Sequence, residues 1–426
     1  MSHKLFHTIC GAFCLMLMAS SYGFCQDGDR PRGSRGSFDV ALQAGLDDQP
    51  PGAIHRNAYF QEATVHLSIQ QNRTHRYWSV DYRPTFLRYD NLSAANRVDH
   101  ELQFEGGAKF SRRWSVELYS RFLDSSNPFL RAESSLSASG QGGSSFLGPN
   151  FGVVGPTRAY RTINNTLTLD YQLGPQTRLN FGANYFRDDE RDLPLLSSDT
   201  RGLSAEFEKR LGPRDTAGIS YSVQLFRVMA ASMQVRVQSL LFVYGHEWRS
   251  GTRLKIFAGP QFSLLQAEPT ATSSFLFFDT PVLVPLRQPI LGYAAGASLT
   301  KRVTDRAGFD IAYSHRITDG VGIARPLVQD SGRLSLHQKL KKHINVSLTA
   351  DYSQNQPLGG LGYSTAFPAW GVSPQLELSL TRHTSVTGLY NFSWYERLPA
   401  ELQWLQQHNR LVIGLQYSLG AFPLGR

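Results

Sequence analysis

Among the side chains able to do chemistry, the twelve histidines come first, because imidazole moves protons near neutral pH. His3 and His7 fall in the N-terminal leader, and His100 follows Asp99. His66, His246 and His315 sit in alternating segments and are read as projecting inward. Paired with Asp or Ser from a neighbouring segment, such residues would make a general base or an activated nucleophile. None stands in the His-Glu-x-x-His, Gly-x-Ser-x-Gly or Walker spacings that prescribe a zinc hydrolase, a serine hydrolase or a nucleotide site. Asp188-Asp189-Glu190 reads as a solvated loop rather than a calcium site. The expectation is a protein that is not an enzyme and uses no cofactor or metal, its single histidines serving as hydrogen-bonded wall residues.

The elements that would hold these residues show in the stretch TLTLDYQLGPQTRLNFGANYFRDD, Thr166 to Asp189. Leu167, Leu169 and Tyr171 alternate with polar residues, Gly174-Pro175 breaks the run, and Leu179, Phe181, Ala183 and Tyr185 resume it. Period-two alternation around a Gly-Pro turn predicts an antiparallel hairpin with one apolar and one polar face. FEKRLGPRDTAGISYSVQLF, Phe207 to Phe226, repeats the plan, and FSRRWSVELYSRF, LTKRVTDRAGFDIAYSH, LKKHINVSLTADYS and LTRHTSVTGLYNFSWY follow it more loosely.

About eighteen strands result, with sixteen as the alternative count. They run near 37–46, 59–71, 77–89, 98–110, 114–122, 160–172, 178–187, 201–211, 216–227, 234–247, 252–265, 290–301, 307–317, 331–340, 344–354, 372–381, 385–395 and 408–419. Connections alternate short (SRR, GPQT, GPRD, KKH) and long (47–58, 123–159, 266–289), a one-sidedness that a soluble sandwich has no reason to keep. The expected fold is an all-β, transmembrane, antiparallel up-and-down barrel with short periplasmic turns and long extracellular loops. Pro84 and Pro260 require a bulge or strand end in this scheme, and the register near 234–247 is open, because Leu240, Leu241, Phe242 and Val243 are apolar on both faces.

Bulk properties agree. Hydrophobic residues make up 41% and aromatics 12%, mean hydropathy is −0.29, and nothing after the leader approaches about 18 uncharged apolar residues, which excludes spanning helices. His3 and Lys4, the run LFHTICGAFCLMLMA and the exit SSYGFC read as a signal peptide over 1–25; a lipidated Cys25 is the alternative. Residues 26–36 form a short flexible periplasmic lead, 37–419 the barrel and 420–426 a tail. All three cysteines (Cys10, Cys14, Cys25) lie in the leader, so disulfides do not hold the mature chain. The net charge is +9 and mostly arginine, scattered rather than striped, which argues against nucleic acid.

The apolar positions Trp78, Val80, Tyr82 and Phe86, or Leu411, Ile413, Leu415, Tyr417 and Leu419, are expected to meet outer-membrane lipid, with Trp78, Trp114, Tyr185, Tyr352 and Trp394 as interface girdles. Charged residues of opposite parity would line a lumen: Arg83, Lys109, Arg121, Arg178, Arg236, Lys255 and Arg410 as cations, and Asp81, Glu105, Glu117, Asp170 and Asp310 as anions.

These hairpins and the closing strand RLVIGLQYSL resemble bacterial outer-membrane barrels of the porin kind, the loosely defined putative β-barrel porin families. The resemblance covers about 37–419 and rests on pattern rather than on a diagnostic motif. It implies a passive channel for small hydrophilic solutes, a bacterial outer-membrane location and a barrel-assembly machinery as partner. By the same resemblance the third external loop, here 123–159, narrows the pore, whereas its Ser/Gly-rich composition reads as a mobile surface loop. The basic excess implies mild anion preference. A non-conducting structural, export or docking barrel, or a barrel hydrolase with a loop-side site, is the alternative.

Overall fold

The computed structural model describes residues 33–50, 57–90, 92–127, 159–191, 197–228, 233–267, 286–318, 326–358, 367–396 and 407–423. The leader and loop 123–159 beyond Asn127 lie outside the described residues. Eighteen strands follow one another: β1 (Gly33–Asp47), β2 (Ala58–Asn72), β3 (Arg76–Tyr89), β4 (Arg97–Lys109), β5 (Trp114–Ser125), β6 (Tyr160–Gly174), β7 (Thr177–Glu190), β8 (Ser198–Arg210) and β9 (Asp215–Val228). The second half comprises β10 (Met233–Glu247), β11 (Arg253–Ala267), β12 (Leu286–Thr304), β13 (Ala307–Thr318), β14 (Leu327–Lys341), β15 (Ile344–Pro357), β16 (Phe367–Ser379), β17 (Thr384–Tyr395) and β18 (Gln407–Pro423).

Every strand pairs antiparallel with its sequence neighbours, and β1 pairs with β18, so the sheet closes into an up-and-down barrel without a free edge. Connections from even to odd strands are tight turns, as at 175–176 and 342–343; those from odd to even strands are longer except the four-residue link 229–232, and Gly33 and Pro423 lie on the turn side. Following paired residues once around the ring gives a stagger of about 22 residues, hence a strand tilt of about 40° and a backbone diameter of about 35 Å.

Side-chain parity divides the wall. Exposed apolar residues occupy one parity of each strand, such as Leu42 and Leu46, Leu67 and Ile69, Leu203 and Phe207, Leu291 and Tyr293, and Ile413 and Leu415. Aromatics collect on this outer face near the strand ends, where Trp114 stacks on Tyr171 at 4.2 Å and Tyr352 meets Trp370 at 4.4 Å in a tilted contact. The opposite parity faces inward and is polar around most of the ring.

Three features differ from the sequence expectation. The seam strands run further, from Gly33 and on to Pro423. Pro84 and Pro260 lie inside continuous strands with no bulge, and Pro374 does the same. Each proline keeps its register on one side (Pro84 opposite His100, Pro260 opposite Tyr293, Pro374 opposite Leu348), while the ladder on its other side skips two pairs and resumes unshifted. A proline lacks one donor, and a strand residue directs its donor to one neighbour only, so one ladder gives way and the other does not. Beside Pro260 the β10 backbone closes in so far that a Cβ at Gly259 would fall 1.9 Å from the Leu240 carbonyl oxygen.

The third difference is β10. Leu240 and Phe242 face outward, whereas Val235, Val237, Leu241 and Val243 face inward and are buried. They pack with Phe226, Val228, Phe257, Leu265 and Ala294 from β9, β11 and β12. One sector of the inner wall is therefore apolar. The true bulges gather at the turn side, at Gln172/Gly174, Arg302/Thr304, Lys339/Lys341 and, across the seam, Ser37/Asp39, the rim position where bulges are commonest.

Candidate functional site: the inner wall

Strand alternation positions the inward charges, because each residue two further along returns to the same face. Asp81, Arg83, Glu105, Lys109, Glu117, Arg121, Asp170, Arg178, Lys255, Asp310 and Arg410 all have the inward parity of their strands, opposite to exposed Phe86, Leu102, Trp114, Leu167, Phe181, Ile256, Ile311 and Ile413. Arg236 does not. It shares the face of Leu240 and Phe242 and stands between Leu225 and Leu264, both outward, so it is a residue of the outer wall. The position lies near the loop end of β10, where an arginine reaches water along its own stem instead of crossing hydrocarbon.

The inward groups form tiers of ion pairs. At the loop-side seam, Arg410 reaches Glu62 at 2.9 Å and covers the Phe60 ring at 4.5 Å from its centroid. Beside it, His408 Nε2 bonds Asp47 at 2.8 Å, and the Tyr89 hydroxyl donates to the same carboxylate at 3.1 Å. Arg410, His408, Asp47, Phe60 and Tyr89 are all buried, so this cluster ties β18 to β1, β2 and β3. On β4 and β5, Glu101 accepts from Arg121 at 2.8 Å and faces Arg83 at 3.9 Å. Midway down, His66 lies between two carboxylates, 3.0 Å from Asp39 and 3.0 Å from Asp81.

Toward the turns, Arg178 pairs with Glu208 at 2.9 Å and stands 3.9 Å from Asp170, which accepts from Asn180 at 2.8 Å. Arg333 reaches Asp351 at 2.6 Å midway along β14 and β15, and nearer the turns Asn345 donates to Glu377 at 3.1 Å. A depression of about 370 Å³ at this mouth is lined by His337, Lys339, Asn345, Gln375 and Glu377 among others. The wall thus carries charges on β13–β16, β18 and β1–β8, while the apolar patch is centred on β10 and shares β9–β11 with buried Ser220, Ser222, Ser239, Gln261 and Ser263.

Several of these residues were not singled out in the sequence: Glu62, Glu101, Glu208 and Arg333. Their inward parity was available, but which cations they meet depends on cross-strand register. Carboxylates are at least as frequent as cations on the inner face of β2–β5, where Glu62, Asp81, Asp99, Glu101, Glu105 and Glu117 face Arg83, Arg97, Lys109 and Arg121. The net positive charge of the chain is therefore not a net positive charge of the lumen.

Two of the three histidines read as inward are outward. His246 bonds Asp215 at 2.7 Å, and the Tyr244 hydroxyl donates to the same carboxylate at 2.6 Å. His315 bonds Asp330 at 2.9 Å, receives Tyr293 as a stacked ring at 4.3 Å and shares its carboxylate with the Tyr313 hydroxyl at 2.7 Å. Both clusters belong to the aromatic outer face near a strand end. Asp47, Asp48 and His408 are close enough to share an ion, but their donor atoms already bond one another and Asn409, Tyr89 and Gln49.

The fold and this wall define a class: a closed, eighteen-stranded transmembrane β-barrel with an apolar exterior and a charged interior. No family model matches the chain, and no curated protein matches it. Solved structures similar to it include OccAB1 of Acinetobacter baumannii, with a TM-score of 0.48 at 11% identity, covering 91% of this chain and 96% of that one. OccK2 (OpdF) of Pseudomonas aeruginosa in complex with glucuronate gives 0.46 at 12%, covering 91% and 98%. OpdK of the same organism with vanillate gives 0.44 at 10%, covering 91% and 99%.

Proposed function

We propose that the chain is an outer-membrane channel for passive diffusion of small hydrophilic solutes, exported by the leader 1–25 and inserted by a barrel-assembly machinery. The observation that carries this reading is the closed ring of eighteen strands, about 35 Å across its backbone, lined by ionic and hydrogen-bonding side chains on most of its circumference. A folded interior that held no water would leave charges such as Arg83, Glu117 and Lys255 without hydration; a water-filled one supplies it. Most inward cations are already paired with carboxylates, so ion selectivity is weak and the anion preference implied by net charge is small. The work of this wall is non-covalent, with no role in bond making.

Single-channel recording of refolded protein in a planar bilayer tests the proposal. Discrete steps that scale with salt are expected; a correctly folded protein that never conducts would end it. One observation favours the second reading, a non-conducting barrel: Val235 and Leu265 face inward yet have no exposed surface, so that sector is packed rather than wetted.

A further inference from the structure

A group of six arginines lies outside the lumen, on one arc of the outer wall. Arg161, Arg187, Arg201, Arg227, Arg236 and Arg287 occupy outward positions on β6, β7, β8, β9, β10 and β12, each within about four residues of the loop-side strand end, a band roughly 10 Å deep. Register joins them into one surface: Arg187 lies opposite Asp199, Asp199 opposite Arg227, Arg227 opposite Gln234, Gln234 opposite Gln266, and Gln266 opposite Arg287.

Three of the six have acidic partners. Arg161 meets Asp124 at 3.3 Å, Arg187 meets Asp189 at 2.8 Å and Arg201 meets Asp199 at 3.3 Å. Arg227, Arg236 and Arg287 are exposed and have no carboxylate partner among the described residues. Directly below the band the same face becomes apolar, with exposed Leu203, Tyr221, Leu240, Phe262 and Leu291. The turn-side ends of these strands carry the outward lysines Lys209 and Lys301, and the turns beyond them hold Arg214, Arg249 and Arg306.

A row of exposed guanidinium groups without carboxylate partners, Arg236 donating only to Gln238 at 3.2 Å among the described residues, stands above a hydrocarbon-facing surface and matches an anionic headgroup layer. The planar fork of arginine binds phosphate oxygens in pairs, and it loses less hydration than an ammonium on doing so. We propose that this arc is a binding surface for phosphorylated saccharolipid headgroups of the outer leaflet, with Arg227, Arg236 and Arg287 as its principal phosphate ligands. The inference rests on the barrel's place in the membrane and not on whether it conducts.

The test is native mass spectrometry of the refolded full-length protein with bisphosphorylated lipid A and with the same lipid after enzymatic removal of both phosphates. The phosphorylated lipid is expected to bind about tenfold or more tightly, and R227Q/R236Q/R287Q to lose that margin. The lysine triple R227K/R236K/R287K retains part of it, and the turn-side control K209Q/K301Q retains all of it. Heat-modifiable migration on gels checks that each variant is folded, and the comparison of the two lipids on the unaltered protein needs no variant. Equal binding of the two lipids, an unaltered margin in the glutamine triple, or displacement of the lipid by millimolar inorganic phosphate would overturn the proposal.

Discussion

Replacing Arg410 with methionine tests the loop-side seam most directly. The arginine is 3% exposed, pairs with Glu62 at 2.9 Å and covers the Phe60 ring at 4.5 Å. Methionine keeps much of the stem packing and removes the charge. The charge-assisted hydrogen bond contributes about 1.5–3 kcal/mol, and the partly desolvated contact with the ring about 0.5–2 kcal/mol. What remains is a carboxylate in a site of low exposure with its main counter-charge gone, and breaking such a pair from one side costs about 3–5 kcal/mol. The expected loss for R410M is therefore about 3–5 kcal/mol, read as a lower midpoint in reversible urea unfolding of the protein refolded into lipid vesicles. Glu62→Gln added to R410M removes the orphaned charge and should recover at least about half of the loss. A single variant that costs under about 1 kcal/mol, or a double variant no better than the single, would refute a buried pair at the seam.

Three further outcomes follow from the same geometry. Ile413→Arg on the outer face of β18 should cost about 2–4 kcal/mol in the same unfolding assay, while Gln416→Arg, on the inward face, should cost little; equal costs would mean that the faces are misassigned. Leu265→Ala should cost about 2–4 kcal/mol if the β9–β12 sector is packed, and under about 1 kcal/mol if lumen water wets it. Arg83→Glu replaces an inward cation that stands 3.9 Å from Glu101 and should move the zero-current potential under a salt gradient toward cation preference; an unmoved potential would take Arg83 out of the ion path.

Much of this barrel was readable because one rule, period two, repeats along it. The Leu-Gly-Pro turns end β6 at Gly174 and β8 at Arg210, because proline after glycine both bends the chain and withholds a donor. Where alternation is clean, as at Leu411 to Leu419, the face was readable too. It failed at β10, where the first half inverts the rule, with Gln234, Arg236 and Gln238 outward and Val235 and Val237 inward, and the second half is apolar on both parities, so that only the neighbours Phe226 and Leu265 reveal which side is inner. Arg236 was misplaced for that reason, and also because the loop-side rim tolerates a charge on either face. His246 and His315 sit near strand ends, where polarity no longer reports direction. The partners of Glu62 and Glu101 depend on register between strands as far apart in sequence as β2 and β18, which no local pattern carries. The prolines were read as faults in a strand, whereas in the ring each weakens only one of its two ladders.

The closing pair of the ring has a consequence for how the chain could be cut and rejoined. β1 lies against β18 over its length, with Arg35 opposite Pro423 and Asp47 opposite Arg410, so the two ends of the strand series stand side by side on the turn face. The β1–β18 pair thus resembles the eight even-to-odd hairpins in everything but its missing turn. A short linker joining the ends there, with a new opening in any loop-side connection, would give a circularly permuted barrel with the same neighbours throughout. Its chain ends would emerge on the opposite face of the membrane, leaving strand order and the inner wall untouched, and would turn a barrel that presents its loops outward into a carrier for segments fused on that side.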